Sequence, residues 1–177
     1  MDKKIIALTG AKTVGKTTIA KAVQAWAIDS KIVSFATPIK EMLWQMGIPY
    51  EALNGKDKEA IIPELGKSSR ELMQSLGTEW GRDLINRNIW VFAMQKQIER
   101  TKEEIIIIDD LRFENEANWV LTRGGKIIKL QRDGIEYNDQ HSSEQPLLSN
   151  FITTTINATN LEDGINEAID QIEQMFY

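Results

Sequence analysis

The chain has 177 residues, 42% of them apolar and 27% charged, with a net charge of −5. That fits one globular domain with a single sizeable core, and it argues against nonspecific binding to duplex DNA or an anionic membrane, which needs a basic face. With no cysteine and one histidine, His141, disulfides, thiolate metal sites and histidine-rich metal clusters are excluded, and the cytoplasm is the expected location.

In chain order, apolar runs at 5–8, 32–36, 105–108, 126–130 and 151–156 read as five strands. The first is too short for a signal-peptide core, and no run is long enough to span a bilayer. The third is four consecutive isoleucines, the pattern of a central strand covered on both faces. Helical patterns lie between the strands. Ser68 and Glu71 have the spacing of a capping box for a helix reaching about Trp80, and a further helix covers residues 90–100. The last helix carries Ile165, Ala168, Ile169, Ile172, Met175 and Phe176 on one stripe. Strands alternating with helices predict an α/β fold built on a parallel sheet. Residues 47–66 and 131–150 lack periodicity and read as binding loops or lids. Trp26, Trp44, Trp80 and Trp119 are expected to be core or packing residues, and Lys56 and Lys58 to lie on a solvated face.

Between the first strand and the first helix stands Gly10-Ala11-Lys12-Thr13-Val14-Gly15-Lys16-Thr17, followed by Thr18. This is a phosphate-binding loop, G-x-x-x-x-G-K-[ST]. Glycines let the backbone aim successive N–H groups at phosphate oxygens, and the helix that follows adds its positive end. Lys16 is placed to reach the β- and γ-phosphates of ATP, and the Thr17 hydroxyl to ligate Mg²⁺. Asp109 and Asp110 end the isoleucine strand, where an acid in such a fold faces the metal; Asp109 is taken as the metal residue and Asp110 as a partner of metal or acceptor.

The loop does not name the acceptor. A guanine-binding N-K-x-D motif is missing from the sequence, and the chain is short for a motor domain. A compact small-molecule kinase needs cations for a second phosphate, and arginine grips phosphate with a fork that stays charged. Arg70, Arg82, Arg87, Arg112 and Arg132 are candidates, with Lys40 as a point charge. Arg112 stands out because it follows a strand end, where open α/β sheets bind ligands.

At this point the sequence resembles the deoxynucleoside monophosphate kinases of tailed bacteriophages. The likeness runs nearly end to end, through residues 5–18, Phe35-Ala36-Thr37-Pro38-Ile39-Lys40, and Arg70-Glu71-Leu72-Met73-Gln74-Ser75-Leu76-Gly77-Thr78 leading to Trp90-Val91. It continues through Asp110-Leu111-Arg112 with Glu116, Arg132 with Asp139, His141 and Glu144, and Ile156-Asn157-Ala158-Thr159-Asn160-Leu161-Glu162. The resemblance implies a three-layer P-loop domain of the nucleoside monophosphate kinase type, with a five-stranded parallel sheet flanked by helices. It implies transfer from ATP, with Mg²⁺, to a deoxynucleoside monophosphate in DNA precursor synthesis, in the cytoplasm of a phage host. By position, Lys40, Arg70 and Arg112 would hold the acceptor phosphate, with Asp110 nearby. Glu116 and Trp90 would face its sugar or base, and Gly77 and Thr78 would line that pocket. Arg132 would lie in a lid at about 131–150 that His141 helps to order, Asn157 near the adenine, and the acceptor region at about 38–90. Ala158-Thr159 replaces the Asp-Gly familiar after that asparagine, Thr17 stands where some relatives have Asp, and the stretch from Lys40 to Arg70 is short.

A homodimer is possible, and no nucleic-acid or membrane partner is expected. Two other readings stay open. One is a kinase of a ribonucleotide, of dephospho-coenzyme A or of another metabolite; the other is a non-catalytic ATP-dependent switch.

Overall fold

A computed structural model describes residues 3–55, 57–137 and 141–176. Lys56 and Asp139 lie outside the described residues, as do the side chains of Glu144 and Met175. The elements run β1 (Lys4–Thr9), α1 (Lys16–Trp26), β2 (Ser30–Val33), α2 (Thr37–Gln45), α3 (Tyr50–Asn54), β3 (Ile61–Ile62) and β4 (Lys67–Ser68). There follow α4 (Ser69–Gln74), a π-helical stretch (Ser75–Ile85), α5 (Ile89–Glu99), β5 (Ile105–Ile108), α6 (Glu114–Leu121), β6 (Lys126–Gln131), β7 (Thr154–Asn157) and α7 (Leu161–Phe176). They form two compact units, Met1–Ser34 with Met94–Tyr177, and Phe35–Ala93.

The first unit is built on a five-stranded sheet of order β2-β5-β1-β6-β7, parallel at every pairing. All four isoleucines of β5 are buried, because the sheet is covered on both faces. On one face Ile6, Leu8, Ile107, Ile128 and Leu130 pack with Ile19, Ala20 and Val23 of α1 and Ala168 and Ile172 of α7. α6 lies against β1 and β6, with its Val120 buried. Every strand of a parallel sheet points the same way, so the loops after β1, β2, β5, β6 and β7 collect at one edge. There the sequence order is broken on either side of β1, the position at which such sheets bind ligands.

Two expected strands are shifted. The second ends at Val33, before Phe35-Ala36, because Thr37 and Pro38 open α2 and a proline at the start of a helix fixes φ without losing a needed donor. The last begins at Thr154, after a 3₁₀ turn over Ser149–Phe151. Of the tryptophans expected to be core or packing residues, Trp119 is buried, whereas Trp26, Trp44 and Trp80 are 37%, 56% and 40% exposed, Trp80 with its ring 6.5 Å from that of Trp90. Trp26 and Trp44 fall at or near the last turn of their helices.

In the second unit Ser68 caps α4 as the sequence suggests: its hydroxyl accepts from the Glu71 N–H, and the Glu71 carboxylate accepts from the Ser68 N–H. Lys67 and that N–H hold the Glu71 carboxyl below its usual range. The cap's charged half is therefore at full strength above the ordinary carboxylate range and is lost as pH falls through the lowered value. Replacing Ser68 with alanine should cost about 1 kcal/mol of stability in a denaturant titration at neutral pH. The helix does not stop near Trp80; it continues, more widely wound, through an 11-residue π-helical stretch to Ile85. Gly81 in that stretch takes the Trp90 ring: a Cβ there would lie 2.4 Å from the indole Cζ2.

Candidate active site

The phosphate-binding loop leaves β1 with three residues in the left-handed region: Gly10 at φ +143°, Thr13 at +66° and Gly15 at +110°. A side chain at Gly10 is doubly barred, since its Cβ would stand 2.6 Å from the Leu130 carbonyl oxygen. Ala11 and Val14 are buried and pin the loop to the core, whereas Lys12, Thr13, Thr17 and Thr18 face solvent. α1 starts at Lys16 with no side-chain cap and no acid in its first turn. Its leading N–H groups and its positive dipole end are thus left for an anion. Lys16 is buried, 9% exposed, and its ammonium donates to the carbonyls of Gly10 and Ala11 at 2.7 and 2.8 Å, at the mouth of the loop.

β5 lies beside β1 and delivers Asp109 to the same edge. The Thr17 hydroxyl is 3.4 Å from Asp109 Oδ2, longer than the usual ~2.7–2.8 Å of a hydroxyl bond, so the two oxygens are close without being locked together. Ser34, the residue after β2, donates its hydroxyl to Asp109 Oδ1 at 2.5 Å. Asp110 is half-buried next to it. A hydroxyl and a carboxylate beside a phosphate loop are hard oxygen donors, the set that suits Mg²⁺, which takes one or two protein oxygens and completes its shell with phosphate and water.

Arg112 follows β5, half-buried, and its Nη1 donates to the Ser143 carbonyl at 2.7 Å. His141 Nδ1 accepts from the Ser143 N–H and lies 2.8 Å from the Ser143 hydroxyl. The described part of the irregular segment is thereby tied to the strand end by the arginine that the sequence singled out. Glu116, expected at the acceptor's sugar or base, is 1% exposed; its Oε2 accepts from the N–H groups of Arg112 and Phe113 at 3.0 and 3.1 Å. It sits in the first turn of α6 and fixes the backbone that presents Arg112. Arg132 is exposed just past β6 and opens a turn closed by Ile135 N–H on its carbonyl. Asn157 ends β7, and its side-chain oxygen accepts from the Thr159 N–H at 2.9 Å, closing a local turn. Asp109, Arg112, Arg132, Asn157 and the loop thus share one edge of one sheet.

In the second unit, Lys40 on α2 donates to Asn54 Oδ1 at 2.9 Å, and Arg70 on α4 pairs through Nε with Glu59 at 2.6 Å. Both expected acceptor cations are therefore braced by the segment at 47–66. Gly77 is buried and Thr78 half-buried. The Trp90 ring is 3% exposed, and its indole N–H donates to the Gly77 carbonyl at 2.7 Å. Its one polar atom thus holds the π-helical backbone where Gly77 and Thr78 lie. Three residues of consequence escaped the sequence reading. Ser34, Glu59 and Ser69, whose hydroxyl donates to the Ala52 carbonyl, carry no motif.

Comparison with known proteins settles the family. Residues 53–167 match the family model for deoxynucleotide monophosphate kinases. The chain belongs to that family. A protein of Acanthamoeba polyphaga mimivirus carrying the deoxynucleotide monophosphate kinase name is 27% identical over 187 aligned residues, spanning 96% of each chain. The deoxynucleoside-5′-monophosphate kinase of Escherichia phage T5 is 28% identical over 127 residues, which cover 66% of this chain and 48% of the phage protein. Among solved structures, TT1252 from Thermus thermophilus aligns over 100% of both chains with a TM-score of 0.59 at 12% identity. Shikimate kinase from Bacteroides thetaiotaomicron aligns over 97% of both with a TM-score of 0.53 at 17% identity. These two are likenesses of fold. As a member of the deoxynucleotide monophosphate kinase family, the protein is a phosphotransferase with a P-loop kinase fold. No helix among the described residues is long and apolar enough to cross a membrane.

Proposed function

We propose that this deoxynucleotide monophosphate kinase transfers the γ-phosphoryl group of ATP to a deoxynucleoside 5′-monophosphate, giving ADP and the diphosphate. The observation that carries the donor half is the loop itself: left-handed glycines curl it around Lys16, and Asp109 stands 3.4 Å from the Thr17 hydroxyl at the same sheet edge. The N–H groups of residues 11–18 hold the donor's phosphates. Lys16 turns from its loop carbonyls to the β- and γ-phosphates, and Asn157 lies near the adenine. Thr17 and Asp109 hold Mg²⁺, which neutralises donor phosphate charge. Lys40, Arg70 and Arg112 meet the acceptor phosphate, Gly77 and Thr78 line the pocket for its sugar or base, and Trp90 and Glu116 face that pocket while setting the backbones of the Gly77-Thr78 and Arg112 segments. An oxygen of that phosphate attacks the γ-phosphorus as the bond to the β,γ-bridging oxygen breaks, and ADP leaves with that oxygen. An ionised phosphate needs no general base, so positioning and charge do most of the catalysis. Asp110 orients the acceptor, and Arg132 in the lid at about 131–150 closes on the phosphates and keeps water out. The acceptor region at about 38–90 and that lid belong to one kinase domain, which works in the cytoplasm to supply DNA precursors.

The test is ADP release in a coupled assay with ATP, Mg²⁺ and each of dAMP, dCMP, dGMP, dTMP, AMP and GMP. At least one deoxynucleotide should stimulate release strongly, with its ribose form slower. Equal use of the ribose form would make it a general nucleotide kinase. No stimulation by any of the six would remove the acceptor assignment and leave only the donor site.

A further inference from the structure

Ser34 belongs to no motif, and neither composition nor spacing draws attention to it. The sheet order nevertheless puts β2 directly beside β5, with Val33 level with Ile108, so the residues after each strand meet at the edge that carries the phosphate loop. There the Asp109 carboxylate divides its oxygens. Oδ1 takes the Ser34 hydroxyl at 2.5 Å and Oδ2 faces the Thr17 hydroxyl at 3.4 Å. The Asp109 N–H is also held on the Val33 carbonyl, at 3.4 Å. One carboxylate oxygen is anchored from behind and the other presented forward.

A carboxylate that ligates one hard cation through one oxygen gains if the other oxygen is already fixed. Its rotation is stopped before the ion arrives, so less rotamer freedom is lost on binding. The Ser34 hydroxyl suits that task because it donates to the oxygen facing away from Thr17 and stays neutral at every working pH. We infer that Ser34 is a positioning residue that sets the protein's affinity for the divalent cation by fixing the Asp109 carboxylate. The inference rests on the reading of Thr17 and Asp109 as the Mg²⁺ residues.

Calorimetric titration of the full chain with ADP, in EDTA and at stepped MgCl₂, reads this without turnover. The comparison is between wild type, Ser34→Ala, Ser34→Cys and Asp109→Asn. Cysteine fills the serine's space with a weak donor, so the test does not depend on the alanine variant folding. In the Ser34 variants the Mg²⁺ concentration giving half of the full rise in ADP affinity should increase about tenfold, with the affinity in EDTA within twofold of wild type. Asp109→Asn should remove the Mg²⁺-dependent rise. If the Ser34 variants superimpose on wild type while Asp109→Asn loses the rise, Ser34 positions nothing and the metal assignment stands. If the Ser34 variants lose ADP affinity equally with and without Mg²⁺, the serine only props up the sheet edge, and the inference fails. If Asp109→Asn keeps the full rise, the metal assignment itself is wrong and the inference falls with it.

Discussion

Replacing Lys16 with alanine should lower phosphoryl transfer on the order of 10³-fold or more while leaving the chain folded. A single charged donor aimed at transferring phosphate is worth roughly that factor, about 4 kcal/mol of barrier. The ammonium of this buried lysine sits at the mouth of the loop, held by the carbonyls of Gly10 and Ala11. Removing it takes a partner from each carbonyl, and each such bond is worth a net ~0.5–1.5 kcal/mol, so a modest fall in melting temperature is expected as well. Lys16→Met keeps most of the buried stem and isolates the charge, and it should lose transfer as severely with a smaller drop in stability. Single-turnover transfer and thermal denaturation, measured on both variants, separate the two effects. Transfer within tenfold of wild type in the methionine variant would mean that the loop does not hold the reacting phosphates.

Much of the fold could be read from the residues because local signals and burial agree. The Ile105–Ile108 run is a strand buried on both faces, and its bounds are those of the apolar run itself. Ser68 and Glu71 form the capping box that their spacing announces. Signals failed where a residue's own character was overridden, by a neighbour in sequence or by distant chain. Phe35-Ala36 is apolar enough to extend β2, but Pro38 two residues on commits it to the start of α2. The π-helical winding of Ser75–Ile85 has no local signature; it coincides with Gly77, whose carbonyl takes the Trp90 N–H, and Gly81, whose missing side chain admits the ring.

Legibility of the site divides along the same line. The phosphate loop is contiguous and obeys local rules of φ, so each of its residues could be assigned a task before the fold was known. The sequence took Asp109 as the metal residue and left Asp110 between metal and acceptor; only the fold shows that the Thr17 and Ser34 hydroxyls meet Asp109. Ser34 could not be found at all, since its role depends on β2 lying next to β5. For Glu116, a resemblance suggested a ligand contact, and the fold adds that its place in the first turn of α6 puts one carboxylate oxygen on backbone N–H groups. Spacing carries the cap, and only the fold shows that the cap presents Arg112.

Replacing Arg112 with alanine should raise the acceptor's KM on the order of 10²-fold and leave ATP affinity within a few-fold. A guanidinium–phosphate pair at a partly buried site loses about 2–5 kcal/mol when its cation is removed, which includes the expected factor. The structure adds a second consequence. Arg112 also holds the Ser143 carbonyl through Nη1, next to the His141–Ser143 turn, so the alanine variant frees that segment as well as the acceptor phosphate. The two roles leave different kinetic marks. Loss of a phosphate partner appears in acceptor KM, whereas loss of a tether on a segment that must close would appear in turnover at saturating acceptor. Arg112→Lys keeps the charge without the fork and should recover part of the acceptor KM but little of any lost turnover, because the short ammonium cannot serve phosphate and carbonyl together. Measuring KM for acceptor and for ATP, with kcat, in both variants gives the answer. Equal loss towards donor and acceptor would place Arg112 on the ATP side, and a fall in kcat alone would make it solely the tether of the Ser143 segment.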